Sequence, residues 1–205
     1  MVTEIRIYIE GGGDSKNTKA RLRSSFNKCF KDLVKKVRDR RIKWNIIICG
    51  TRNNAYECFT KALVDHPNCC NILLVDSEAP VTNNNPWQHL KNRDNWNDAQ
   101  VSDRYCHLMV QAMEAWFIAD IDALIKFYGQ GFRKNLIPDN SNVEIIAKDR
   151  LPTILNEATR HTKKGRYQKI AHGCQLLEII DINKVRAASS YGDRFFRTLE
   201  EIIAE

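Results

Sequence analysis

The sequence predicts an α/β protein: a mainly parallel, Rossmann-like sheet flanked by helices, with a mostly helical C-terminal part. Three observations lead there. Apolar runs of strand length alternate with amphipathic helical segments through the first half of the chain, as in β-α-β crossovers. The second and third of these runs are mainly apolar, which suits strands covered by helices on both faces. After Gly129 the patterning is helical only.

Ile5, Ile7 and Ile9 alternate with Arg6 and Tyr8, which marks a strand over Glu4 to Ile9. Glu10 closes it. The run Gly11-Gly12-Gly13 then permits a tight turn and close backbone approach to a ligand, and Asp14 or Ser15 caps the next helix. That helix is expected from about Lys16 to Arg40, because Leu22, Phe26, Phe30, Leu33, Val34 and Val37 recur at spacings of three and four. Its other faces are basic. A second strand, Trp44 to Cys49, ends at Gly50, and a helix succeeds it over Ala55 to Val64. The third strand, Asn71 to Val75, runs into Asp76-Ser77-Glu78. Pro80 to Asp103 is polar and reads as a long loop holding one short helix near Trp87 to Lys91. Loops of that length are commonly functional or disordered. Tyr105 to Val110 makes a fourth strand. Glu114 to Ala119 and Asp122 to Tyr128 make helices, with Asp120 as N-cap of the second. Further helices are expected over Val143 to Thr159, His172 to Ile180 and Asp193 to Ala204. These elements divide the chain into an α/β core over 1–128 and a helical extension over 129–205 packed on it.

The chain has 205 residues, 43% apolar and 28% charged, which excludes a collagen-like or disordered chain. No apolar stretch is long enough to span a bilayer, and the N-terminus lacks the basic and apolar regions of a secretory signal. The seven cysteines are odd in number, include the adjacent pair Cys69-Cys70, and show no C-x-x-C spacing. They read as small core residues of a protein in a reducing cytoplasm. The net charge of +7 is uneven: Lys16 to Lys43 holds twelve Lys/Arg against Asp32 and Asp39, a local balance of +10. Arg160 to Lys169 adds five more with no acid. Such clusters attract polyanions, nucleic acid above all, or else form a solvated helix face or a surface for an acidic protein.

Ligands of open parallel sheets gather beyond the C-terminal strand ends. Three acids stand there: Glu10 after the first strand, Asp76 and Glu78 after the third. An extended D-x-E segment points both side chains one way, and clustered carboxylates suit a hard cation such as Mg²⁺ or Mn²⁺. Gly12 and Gly13 with Lys16, and Arg52 behind Gly50, are candidate substrate-phosphate contacts. Among the basic residues around Gly165, Arg166 is a candidate substrate contact, and Lys164 or Lys169 a candidate catalytic cation where charge develops. Trp87 and Trp96 either stack bases or staple their loop to the domain. Neither an H-E-x-x-H zinc motif nor a Walker A loop occurs, so the chain should not hydrolyse ATP by itself.

The runs Ile7-Tyr8-Ile9-Glu10-Gly11 and Leu74-Val75-Asp76-Ser77-Glu78 resemble the TOPRIM pattern, a glutamate after the first strand and a D-x-D-like motif after a later one. Here the second acid is Glu78. More closely, the chain resembles the domain-of-unknown-function family numbered 4276, a TOPRIM-like group near the RloB-like proteins. The matching runs are Tyr8 to Lys16, Cys49-Gly50-Thr51-Arg52-Asn53, Val75-Asp76-Ser77-Glu78, Pro86-Trp87-Gln88-His89-Leu90, Met113-Glu114-Ala115-Trp116-Phe117 and Lys164-Gly165-Arg166-Tyr167. The resemblance implies Glu10 as general acid/base or metal ligand and Asp76 and Glu78 as Mg²⁺ ligands. It also implies Glu114 as the extra metal-binding acid of RloB-like and overcoming-lysogenization-defect nucleases. It further implies an AAA- or ABC-type ATPase partner in a phage-defence setting. The expectation is thus a cytoplasmic, Mg²⁺-dependent nuclease acting on DNA or RNA, with a homodimer left open and no membrane association. The alternatives are a non-catalytic module that binds nucleic acid or the ATPase, and a small-molecule phosphoryl-transfer enzyme.

Overall fold

The computed structural model describes residues 2–82, 85–139 and 141–205. Four parallel strands form one sheet in the order β2-β1-β3-β4: β1 (Glu4–Glu10), β2 (Lys43–Gly50), β3 (Cys70–Asp76) and β4 (Cys106–Met109). Ile9 pairs with Ile48 on one side and Leu74 on the other, and Asp76 pairs with Met109. The chain leaves β1 toward β2 on one side and later returns to place β3 on the other. The C-terminal ends of β1 and β3 therefore flank the point where strand order reverses, the place where such sheets open a crevice.

Strand alternation divides the core. Ile5, Ile7, Ile9, Ile46, Ile48, Ile72 and Leu74 face one cluster. Tyr8, Cys49, Leu73 and Val75 face the other, under α3 (Arg52–Asp65) and α4 (Pro86–Asp94). The first and larger cluster is covered by α1 (Lys16–Cys29), α2 (Lys31–Asp39), α5 (Glu114–Ala119) and α6 (Ile121–Tyr128). It also takes in side chains of α7 (Arg150–Thr159), α8 (Ala171–Leu177), α9 (Ile182–Ala188) and α10 (Ser190–Ala204). Residues on either side of 128 thus share one apolar core.

Four expectations are corrected. The helix expected over Lys16 to Arg40 is two helices broken at Phe30, whose backbone leaves the helical region at φ −94°, ψ 21°. The ring there is 1% exposed and meets Phe26, Trp44, Phe195 and Phe196, so tertiary packing overrides a continuous periodicity. The helix expected from Val143 begins only at Arg150, after a short 3-10 turn at Val143–Ile145, because the ring of Pro152 would clash with the carbonyl four residues back. Helix α9 has no counterpart among the expected elements, although Asp181 caps it, accepting from the Asn183 N–H at 2.8 Å. Last, Asp76-Ser77-Glu78 does not continue as an extended strand, since Glu78 sits at φ +66°. The N–H groups of Ser77 and Glu78 track β4 and its continuation, donating to the Met109 and Gln111 carbonyls at 2.9 Å each.

Other local signals hold. Ser15 caps α1, accepting from the Thr18 N–H, and Asp120 caps α6, accepting from the Ala123 N–H at 3.1 Å. Trp87 and Trp96 are buried, and Trp96 stacks on Tyr56 with centroids 4.6 Å apart, so they fasten their loop to the sheet. Among the described residues no helix is long and apolar enough to cross a membrane.

Candidate metal centre

The strand-end acids converge. One carboxylate oxygen each from Glu10, Asp76 and Glu78 lies within 4.8 Å of the other two. Adjacent parallel strands bring Glu10 and Asp76 together; the left-handed turn at Glu78 swings the third acid back over them. These residues line a cleft of about 250 Å³ with Gly11, Gly12, Gly50, Arg52, Met113 and Lys169.

Each acid is held in place. Asp76 is 5% exposed and accepts from the Met113 N–H at 2.9 Å, just before α5 begins. Glu10 accepts from the Asp76 N–H at 3.2 Å and pairs with Arg52 at 3.2 Å. Glu78 pairs with Arg93 at 3.2 Å and with Lys148. Burial, and then the Glu10 charge, push the Asp76 carboxyl well above its ordinary range against the pull of Lys169. Burial also raises Glu10, with Arg52 opposing it. Two crowded, desolvated carboxylates therefore stand beside a third with charge to be compensated. The donor set is oxygen only, which fits a hard divalent cation of the Mg²⁺, Mn²⁺ or Ca²⁺ kind and disfavours zinc.

Glu114 lies outside the mutually close triad. It is 3% exposed and accepts from the Tyr167 hydroxyl at 3.1 Å, and Lys169 Nζ lies 3.6 Å from the same oxygen. Burial opposes the charge on Lys169, but Glu114, Asp76, Glu10 and Glu78 together hold it above the ordinary lysine range. Lys169 thus joins Glu114 to the triad through one cation.

The other expected residues divide. Gly12 turns the chain over β2 at φ +78°; a Cβ there would be strained and would stand 3.1 Å from both Ile48 and Lys19 side chains. Gly13 precedes α1 and Lys16 opens it, both exposed. Arg52 is turned inward: its guanidinium grips Asp94 bidentately at 3.1 and 2.7 Å, reaches Glu10 and the Asp76 carbonyl, and lies 4.9 Å from the Trp96 ring centroid. With its donors engaged it positions Glu10 instead of offering a free phosphate contact. Lys164 lies 4.7 Å over the Phe127 ring, and neither it nor Arg166 lines the cleft.

Sequence reasoning missed Asp94, Tyr167, Arg93 and Lys148 as parts of the site. They reach the site through contacts 15 to 70 positions apart, and although Tyr167 stands in the quoted run Lys164-Gly165-Arg166-Tyr167, nothing local assigns it to Glu114. Only the charged Arg93-Asp94 pair ending a helix inside a long loop gave a faint signal.

A family model described as "Domain of unknown function (DUF4276)" matches residues 9–200, a span that contains every residue of the cleft. No curated protein and no solved structure matches the chain.

Proposed function

We propose that this chain, which belongs to the DUF4276 family, is a TOPRIM-like, divalent-cation-dependent nuclease that cleaves phosphodiester bonds in DNA or RNA. The observation that carries the reading is the convergence of Glu10, Asp76 and Glu78 within 4.8 Å at the switch point of the sheet. Glu10, Asp76 and Glu78 would hold the ion. Bound there, Mg²⁺ or Mn²⁺ would supply charge neutralisation for a phosphate and a more acidic water.

The chain's own groups do the remaining work. The Met113 N–H and the Arg52–Asp94 pair fix Asp76 and Glu10, so little reorganisation is needed when substrate enters. Glu10, held by the Asp76 N–H and by Arg52, is oriented as a ligand. Lys169 stays charged among its carboxylates and is placed to meet a non-bridging phosphate oxygen. Glu114, steadied by Tyr167, aims that lysine. The resemblance to defence-system nucleases adds a partner ATPase and a cytoplasmic setting to this reading.

The test is cleavage of single- and double-stranded DNA and of RNA with Mg²⁺ or Mn²⁺, comparing wild type with Asp76→Asn and Lys169→Ala. Removing either charge should slow cleavage by about a thousandfold, the scale of losing a charge-stabilising group. Undiminished cleavage by Asp76→Asn, or wild-type cleavage in the presence of a chelator, would overturn it.

A further inference from the structure

We propose that a cationic track along α1 and α2 binds the backbone of a nucleic-acid strand that leaves the cleft along β2 and continues into a groove across the two helices. The inference rests on the phosphodiester reading of the cleft and adds the path by which the polymeric substrate leaves it.

The track starts at the cleft. Gly50 is part of the cleft wall, and beside it Lys19 Nζ donates to the Cys49 carbonyl at 3.2 Å. One helical turn on, Arg23 Nε donates to the Ile46 carbonyl at 2.9 Å. Another turn on, Asn27 accepts from the Trp44 indole N–H at 3.1 Å. Residues 19, 23 and 27 are spaced to share one helix face, and here that face is fastened to the edge strand β2. The stretch from Gly50 back to Trp44 is about 20 Å long at ~3.3 Å per residue.

The break at Phe30 then opens a groove of about 760 Å³ across α1 and α2. Its lining includes Arg23, Lys28, Lys31, Lys35 and Arg38, with Asp39 as its one acid. Lys28 is partly compensated by Glu178 at 2.9 Å. Among the described residues Lys31, Lys35 and Arg38 enter no ion pair. Positive charge therefore continues from the lip of an acidic, phosphate-sized cleft along a strand-length path, well in excess of Asp39 and Glu178 beside it. A mononucleotide would leave this track bare; a regularly charged chain held at one phosphate would lie along it.

The experiment measures binding of the full chain to labelled DNA and RNA oligonucleotides of about 3, 6, 9 and 15 nucleotides, single-stranded and duplex, across a salt series. Non-hydrolysable backbone linkages suppress cleavage throughout, with Mg²⁺ present. The comparison variant is Lys31→Glu/Lys35→Glu/Arg38→Glu, whose substitutions are remote from the triad and exposed; circular dichroism checks its fold. About six nucleotides at ~3.4 Å each span Gly50 to Trp44, so wild-type affinity should go on climbing beyond that length as the strand enters the groove and then level off, and the variant should bind the longer oligonucleotides at least about tenfold more weakly. Its slope of log affinity against log salt should be shallower by about two to three. Equal affinity and slope for variant and wild type would overturn the track while leaving the cleft reading intact. Competition by polyglutamate as effective as that by oligonucleotide, lost equally in the variant, would overturn it in favour of an acidic protein partner. Failure of the cleft reading shows separately, as cleavage unaffected by Asp76→Asn.

Discussion

Asp76→Asn is the sharpest perturbation, because it removes one charge while keeping the oxygen that accepts from the Met113 N–H. Two unit charges at the 4.8 Å limit of the triad repel by about 3 kcal/mol at an effective dielectric of ~20. Asp76 stands in that repulsion, its carboxyl raised by burial and then by the Glu10 charge. In chelator the variant should therefore melt at the wild-type temperature or a few degrees above it. The cation response should move the other way. A ligand at ~100 times its Kd stabilises the native state by about 2.7 kcal/mol, which in a chain of this size raises Tm by roughly 5–10 °C. Wild type should show that rise with Mn²⁺ or Mg²⁺, and Asp76→Asn should lose nearly all of it. Calorimetric melts of both proteins, first in chelator and then through a cation titration, make the comparison. An equal cation-dependent rise in the two proteins would refute the three-carboxylate centre, as would a wild type that responds to none of Mg²⁺, Mn²⁺ and Ca²⁺.

Phe30→Ala should cost about 3–5 kcal/mol in urea unfolding, because the ring is fully buried at the α1–α2 break against Trp44, Phe195 and Phe196. A cost below about 1 kcal/mol would mean the break is not held by that ring. Arg52→Lys keeps a charge but loses the bidentate grip on Asp94 and the Trp96 contact. It should lower stability by about 1–3 kcal/mol and weaken cation binding, whereas a variant with unchanged Mn²⁺ affinity would exclude Arg52 as a positioning residue. Acid stability should depend on His107, which burial, and then Arg194, depress from 6.5 to about 3. Above pH ~6.5 both folded and unfolded forms are neutral there; below it only the unfolded form takes up the proton, so stability falls down to about pH 3. The loss from this one group is about 2 kcal/mol by pH ~5. His107→Gln should flatten that limb of the stability–pH curve, and an unchanged limb would assign it to other groups.

The α/β class and the element order were legible because they rest on local periodicity, which the chain carries in every window. Alternation in β1, apolar runs in β2 and β3, and caps at Ser15 and Asp120 all act within a few residues. Glu10, Asp76 and Glu78 were legible as strand-end acids for the same reason. Their meeting depended on strand order, since only the placement of β3 beside β1 turns separate strand ends into one cleft. Tertiary packing also broke the long basic helix at Phe30, turned Arg52 away from solvent toward Asp94, and drew Tyr167 and Lys169 to Glu114. Those contacts join residues about 40 to 165 positions apart. Each is settled by the competition of many side chains for one buried space, which leaves no periodic trace along the chain. The sequence by itself determined the strands, most of the helices and the acids that end the strands; the tertiary structure alone decided where the basic helix breaks, which strand ends share a site and which cations stand beside it.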